Sequence, residues 1–223
     1  MSRTIAFIPV RGGSKSIPLK NIKTINGKPL VYWTVKAAQD CEDIDEIYIS
    51  TDSQEIRNTV LEFKMSKVKA IERSPETATD EASTESAMLE FADRNEFDTI
   101  VLIQATSPLL TKVDLEKGFD VFKQPDVDSV LSVVEQKRFT WTEKEGYVYP
   151  INYDVYKRPR RQEFDGFLVE NGAFYITSKQ KLLEAQNRIS GRIKAVKMKE
   201  ASYFEIDEPS DWTVVEELMK KTM

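Results

Sequence analysis

At 223 residues, 40% hydrophobic and 31% charged, the chain fits one large domain with a substantial core and a soluble surface. A formal net charge of −5 argues against general affinity for nucleic acid or membranes, so any basic cluster is a local feature of an acidic protein. Histidine is absent, which removes the usual general base and most transition-metal sites, and a single cysteine, Cys41, supports no internal disulfide framework.

Short apolar runs alternate with helical stripes along the chain, the pattern of a doubly wound α/β sheet. The first predicted strand, Thr4–Val10, runs straight into a loop holding Gly12, Gly13, Ser14 and three cations, Arg11, Lys15 and Lys20. Adjacent glycines let the backbone approach a ligand, and successive N–H groups in such a turn form a concave anion site. Three positive side chains around it suit a polyanion such as a nucleoside triphosphate. The loop lacks both the Gly-Lys-Ser/Thr ending of a Walker loop and the three-glycine dinucleotide pattern, which argues against an ordinary ATPase or a dehydrogenase.

Leu30, Trp33, Thr34, Ala37, Ala38 and Cys41 then follow helical spacing, so Cys41 reads as a packed core thiol. A strand at Glu46–Ser50 ends in Thr51-Asp52-Ser53, where Asp52 or Ser53 caps the next helix, whose stripe is Ile56, Val60 and Phe63. Strands follow at Val68–Ile71 and Thr99–Ile103. Gln104, at the end of the latter, either points an amide at a sugar-like substrate or serves the turn alone. Leu115, Phe119 and Phe122 mark a helix, and Ser129–Val134 another strand.

From about 135 to 167 the alternation breaks into a segment rich in aromatics and cations, ending in Lys157-Arg158-Pro159-Arg160-Arg161. It reads as an arm of extended strands, with the composition of a protein–protein contact, and a homodimer is expected. Strands at Ala173–Ile176 and Ile193–Met198 and a final helix on Trp212, Val215 and Met219 complete the domain. Before that helix, alternation sets Glu205 and Asp207 on one face. Two carboxylates facing a cationic phosphate loop form a natural seat for Mg²⁺; alone, they are a charged strand end. Asp211 falls in the first helical turn, where a negative charge is favourable.

Eight ordered segments, from IPVRGGSKSIPLKNI through NGKPLVYWT, ISTDS, RSPETATDEASTES, LIQATSPL, RPRRQEFDG and ENGAFYI to EIDEPSDW, carry a resemblance to the acylneuraminate cytidylyltransferases. The resemblance implies a three-layer, Rossmann-like nucleotide-diphosphosugar transferase fold. It also implies Mg²⁺-dependent (or Mn²⁺-dependent) transfer of CMP from CTP to the anomeric hydroxyl of a nine-carbon 2-keto sugar acid, with release of pyrophosphate. By the same likeness, Arg11, Gly12, Gly13, Ser14, Lys15, Lys20 and Asn21 hold the triphosphate, while Arg73, Ala82 and Thr84 frame the cytosine. Gln104, Asn171 and Tyr175 line the sugar pocket, and Arg161 meets the sugar carboxylate across a dimer that exchanges arms. Asp207 and Glu205 hold the metal, and Arg11, Lys20 and Asp207 are the expected catalytic residues.

The chain departs from the family pattern at Glu205, where many members carry aspartate, and at Ala105, where proline is usual. Other acceptors compatible with these motifs are KDN, legionaminate, pseudaminate and the eight-carbon Kdo; outside catalysis, the alternative is an inactive CTP-binding regulator. The proton acceptor is open among a carboxylate, a substrate oxygen and a metal-bound hydroxide. Some relatives carry a C-terminal phosphatase-like or esterase-like domain; neither activity is expected here. With no signal-peptide pattern and no apolar run of membrane-span length, a cytoplasmic protein without membrane or nucleic-acid partners is expected.

Overall fold

Strand β1 (Thr4–Pro9) carries Ile5, Ala6, Phe7 and Ile8 in succession, all fully buried. A strand apolar on both faces must be covered on both, as at the centre of a three-layer α/β sheet. The structure is a computed structural model that describes residues 2–222. After β1 come a hairpin of β2 (Thr24–Ile25) and β3 (Lys28–Pro29), helix α1 (Leu30–Asp40), β4 (Glu46–Thr51), α2 (Gln54–Leu61) and β5 (Val68–Glu72). The chain continues through α3 (Thr84–Arg94), β6 (Thr99–Ile103), α4 (Lys112–Phe122) and β7 (Ser129–Gln136). A second hairpin, β8 (Trp141–Lys144) and β9 (Tyr147–Pro150), precedes β10 (Phe167–Ser178), α5 (Lys179–Ala185), β11 (Ile193–Lys197) and α6 (Pro209–Thr222).

The main sheet has seven strands in the order β11-β7-β10-β6-β1-β4-β5. Only β10 opposes its neighbours; the other pairings are parallel. Alternation along β1 sends Ala6 and Ile8 to the face covered by α1, α2 and α4, and Ile5 and Phe7 to the face covered by α3 and α5. Each fully buried Ile, Leu or Phe contributes roughly 1.5–3 kcal/mol, so these two faces dominate the driving force for folding. A third cluster, of Ile17, Ile25, Leu30, Leu109, Ile206, Val215 and Met219, seats α6 against the loop after β1. From β1 the chain builds outward to β4 and β5, then returns on the other side of β1 to β6. The carboxyl ends of β1 and β6 therefore flank a topological switch point, where open α/β sheets bind ligands.

The strand and helix order follows the sequence pattern, with informative differences. The sequence reading passed over α3, although Ala87, Met88, Phe91 and Ala92 do fall on one helical face, and over α5, which is only seven residues long. Strand β10 begins at Phe167 rather than Ala173, because its first part pairs with an extended β7 (Phe167 opposite Gln136) beyond the core. Between Glu170 and Tyr175 the register slips: five steps along β10 match two along β7. That bulge bends the strand at Gly172 (φ +67°). Helix α2 ends at Leu61, so Phe63 packs on the core from beyond it, and Cys41 lies buried one residue past α1.

The segment from 135 to 167 folds as a small unit of its own. The β8–β9 hairpin turns through Glu145 and Gly146, both at positive φ, as the type I′ turn requires. Behind it Phe139 packs on Tyr153 and Phe164, with the Arg158 guanidinium 4.6 Å from the Phe139 ring centre. The outer aromatics have no such cover: Tyr147 is 70% exposed and Tyr156 94%. Among the described residues, no helix is long and apolar enough to cross a membrane.

Candidate active site

The loop after β1 is pinned before it curves. Val10 N–H donates to the Ser50 carbonyl (2.8 Å), and Gly12 N–H to Asp52 Oδ1 (2.8 Å). A β-carbon on Gly12 would lie 2.9 Å from that of Ser53, so only glycine lets this loop press against the end of β4. The buried Asn21 amide donates to the Arg11 carbonyl (3.3 Å) and closes the loop on itself. Asp52 thus holds the loop, and the α2 cap falls to Ser53, which accepts from Ile56 N–H.

Across the crevice, the segment between β11 and α6 brings up its carboxylates. Ile206 N–H donates to the Thr106 carbonyl (2.9 Å), Ile206 itself is fully buried, and Glu205 and Asp207 flank it. Lys20 Nζ spans the gap, donating to the Ile206 carbonyl (2.8 Å) and Asp207 Oδ1 (3.1 Å). Asp211 accepts from the N–H groups of Asp207 (3.0 Å) and Glu208 (2.8 Å), so its role is to fix the Asp207 backbone as well as to complement α6. Burial, then the neighbouring Asp207 charge, pushes the Glu205 carboxyl above its ordinary range. Its hydroxyl partner, Thr106, lies 3.5 Å away, at the outer edge of hydrogen bonding.

These two sides enclose one cavity of about 490 Å³, whose wall includes Arg11, Ser14, Lys20, Asn21, Arg73, Ala82, Thr84, Gln104, Glu205 and Asp207. Ten residues singled out in the sequence, far apart along the chain, thus share one cleft at the switch point. Lys15 is not part of the wall; its ammonium pairs with Asp80 Oδ2 (2.6 Å), whose other oxygen pairs with Arg11 (2.5 Å). Lys15 and then Arg11 hold the Asp80 carboxyl below its usual range. Asp80 thus neutralises two cations of the loop within the chain itself.

Glu205 and Asp207 offer oxygen donors only, and no group of three His, Cys, Asp or Glu among the described residues could complete a cation's shell. Two carboxylates, one half-buried and weakly partnered, beside an anion seat fit Mg²⁺, which completes its shell with phosphate oxygens and water. They lack the His or Cys ligands that the usual zinc sets combine with carboxylates.

Not every expected residue reaches the cavity. Tyr175 is buried on the α3 face, its hydroxyl donating to Glu170 and its ring under the Arg188 guanidinium at 5.0 Å. Asn171 is buried, its amide donating to the Ser202 carbonyl (3.0 Å) while Oδ1 has no partner. Neither lines the cavity; the β10 bulge sets Gly172 directly behind two residues of its wall, where a β-carbon would stand 2.5 Å from Gln104 Oε1 and 3.3 Å from Glu205 Oε2. Arg161 is exposed in the arm and does not border its own chain's cavity. Sequence reasoning missed Gly172, Asp80 and the backbone roles of Asp52 and Asp211. Gly172 fell one residue before the expected strand; only with β10 extended back to Phe167 does it become a lone glycine inside a strand, the mark of a bulge or close approach.

A family model described as Cytidylyltransferase matches residues 5–221. The chain is 38% identical over 217 residues to N-acylneuraminate cytidylyltransferase A of Danio rerio, covering 95% of this chain and 50% of that one. It thus spans about half the length of that relative. It is 28% identical over 244 residues to the CMP-N,N'-diacetyllegionaminic acid synthase of Legionella pneumophila, covering 98% and 97% of the two chains. In fold it is similar to CMP:2-keto-3-deoxy-manno-octonic acid synthetase complexed with CTP, at a TM-score of 0.75 and 19% identity, with all of both chains covered.

Proposed function

Because the chain belongs to the cytidylyltransferase family, we propose that it transfers CMP from CTP to the anomeric 2-hydroxyl of a nonulosonic acid. The products are a CMP-N-acylneuraminate and pyrophosphate. The observation that carries the reading is the single cavity in which the cationic loop meets Glu205 and Asp207.

The anomeric oxygen attacks the α-phosphorus in line; the new O–P bond forms as the bond to the bridging oxygen breaks, and the hydroxyl proton passes to a carboxylate or to a substrate oxygen. Such chemistry needs positioning and charge neutralisation more than covalent help. Arg11, Lys15 and Lys20 offset charge on the departing pyrophosphate, and the backbone of Gly12, Gly13 and Ser14, with Asn21 closing the turn, shapes its seat. Arg73, Ala82 and Thr84 frame the base. Gln104 orients the sugar. Asp207 and Glu205 would hold Mg²⁺, which supplies further neutralisation of phosphate charge.

The arm is assigned to a homodimer in which Arg161 meets the sugar carboxylate of the partner's site. Its supports are the exposed Tyr147 and Tyr156 and a basic run on an acidic protein. The protein works in the cytoplasm, where CTP is at hand. Pyrophosphate release from CTP and Mg²⁺ across N-acetylneuraminate, KDN, legionaminate, pseudaminate and Kdo tests the reaction and ranks the acceptors. N-acetylneuraminate is expected to lead. A second reading, legionaminate, is favoured by the relative that matches over nearly its whole length. CTP binding with no turnover on any acid refutes both. Arg161→Ala is expected to raise the sugar KM at least tenfold in a protein that stays dimeric; an unchanged KM removes the shared site.

A further inference from the structure

Arg73 follows β5 and is 7% exposed, yet its guanidinium borders the cavity. Burial lowers its pKa, but an arginine stays charged, so the group must be held by acceptors. Two of its five N–H donors are taken by one residue: Nε donates to Thr77 Oγ1 (3.4 Å) and Nη2 to the Thr77 carbonyl. The remainder are available to a ligand. Thr77 ends a tight turn, and its hydroxyl proton goes to Glu90 Oε2 at 2.7 Å. The same oxygen accepts from the Ser74 hydroxyl at 2.9 Å. A hydroxyl has one proton; spent on Glu90, it leaves the oxygen lone pairs for Arg73.

Glu90 belongs to α3, so a carboxylate on the helix anchors the turn that aims the arginine. Arg94 Nη1 stands 3.0 Å from Oε1, an ion pair without hydrogen-bond geometry, so Oε1 is steadied by charge alone. Burial, the largest single influence, works to raise the Glu90 carboxyl, but Thr77, Ser74 and the Arg94 charge together outweigh it and keep it below the usual range, an ionised acceptor at neutral pH. Nothing in the transfer reaction itself uses this chain of groups.

We propose that Glu90 is a positioning residue for nucleotide selection: through Thr77 and Ser74 it holds the Arg73 guanidinium so that its free N–H groups meet the acceptor edge of a cytosine. Cytosine offers two adjacent acceptors, O2 and N3, whereas uracil carries a hydrogen at N3 that opposes a donor. The orientation of Arg73 therefore separates CTP from UTP, and loss of a charge-assisted hydrogen bond has the right size to be measured. The proposal rests on the reading of Arg73 as a base contact.

The test compares CTP and UTP, by steady-state kinetics and by calorimetric titration, in the intact protein and in Glu90→Ala, Glu90→Gln, Thr77→Val, Thr77→Ser and Arg73→Lys. Glu90→Ala is expected to raise the KM and Kd for CTP about tenfold with kcat within about threefold, and to shrink the CTP:UTP preference about tenfold. Glu90→Gln, which keeps an acceptor oxygen, restores most of the preference. Thr77→Val reproduces the loss and Thr77→Ser does not, and Glu90→Ala combined with Thr77→Val is no worse than either alone. If Glu90→Ala fails to fold, the two Thr77 variants decide. A lowered Tm with an unchanged CTP:UTP ratio, while Arg73→Lys alters that ratio, reduces Glu90 to a structural part and overturns the proposal. An unchanged ratio in Arg73→Lys overturns the base reading itself. Calorimetric titration reads nucleotide affinity directly, so both outcomes can be told apart without turnover.

Discussion

Replacing Gly172 with alanine strikes two residues of the cavity wall at once, Gln104 and Glu205. The residue has φ +67°, where a β-carbon costs about 1–2 kcal/mol by backbone sterics alone. The new atom would also stand 2.5 Å from Gln104 Oε1 and 3.3 Å from Glu205 Oε2. Ordinary contact lies near 3.5 Å, so the Gln104 amide must retreat by about 1 Å and Glu205 by a few tenths. Displacement of about 1 Å at a reacting centre costs on the order of a hundredfold in rate. Gly27→Ala is the control: Gly27 has φ +79° and nothing within 4 Å of its would-be β-carbon, so it reports backbone strain without collision. Urea unfolding should show both variants destabilised by about 1–2 kcal/mol. Pyrophosphate release at saturating substrates should fall about a hundredfold in Gly172→Ala alone. Turnover in Gly172→Ala within about threefold of the parent would refute the claim that the β10 bulge sets Gln104 and Glu205.

Arg11→Ala and Asp207→Ala are each expected to lower kcat by roughly a hundredfold or more, the scale of one preorganised charge contact, with the fold intact by circular dichroism. Glu205→Gln should separate stability from activity. Folding raises the pKa of this carboxyl, so the folded state binds its proton more tightly, and stability is lost as pH rises through the ordinary carboxylate range to the raised value. The neutral variant is therefore expected to have a higher Tm than the parent at pH 7 without Mg²⁺, and lower turnover with it. Glu46 works in the opposite sense. Lys69, Tyr48 and Arg3 converge on it and hold its carboxyl at about 2, so its contribution is present above about 4.5 and lost as pH falls to about 2. The urea-midpoint difference between the parent and Glu46→Gln should shrink across that window.

The layers were legible because burial on both faces writes continuous apolar runs such as Ile5–Ile8, and one-sided burial writes stripes such as Leu115 and Phe119. Helix α3 was passed over although Ala87, Met88, Phe91 and Ala92 mark one face, because that short face follows the long polar run through Ser83, its cap. Both sides of the cavity were legible too, since loops at carboxyl ends of strands carry unmistakable charge. What sequence could not supply was partner choice. Asp52 could as well cap α2 as hold the Gly12 N–H, and only the close packing of two loops decides. Tyr175 falls one residue from Phe174 in a strand whose bulge shifts every later side chain, so the register could not be counted from the motif.

A crystal structure of the protein with CTP and Mg²⁺ examines the shared cavity directly. The triphosphate is predicted to displace Asp80 from Arg11 and Lys15 and to lie on the loop from Arg11 to Asn21, with Glu205 and Asp207 turned to the same phosphates. A nucleotide bound with its phosphates away from that loop, or with Asp80 still paired to both cations, would contradict the account.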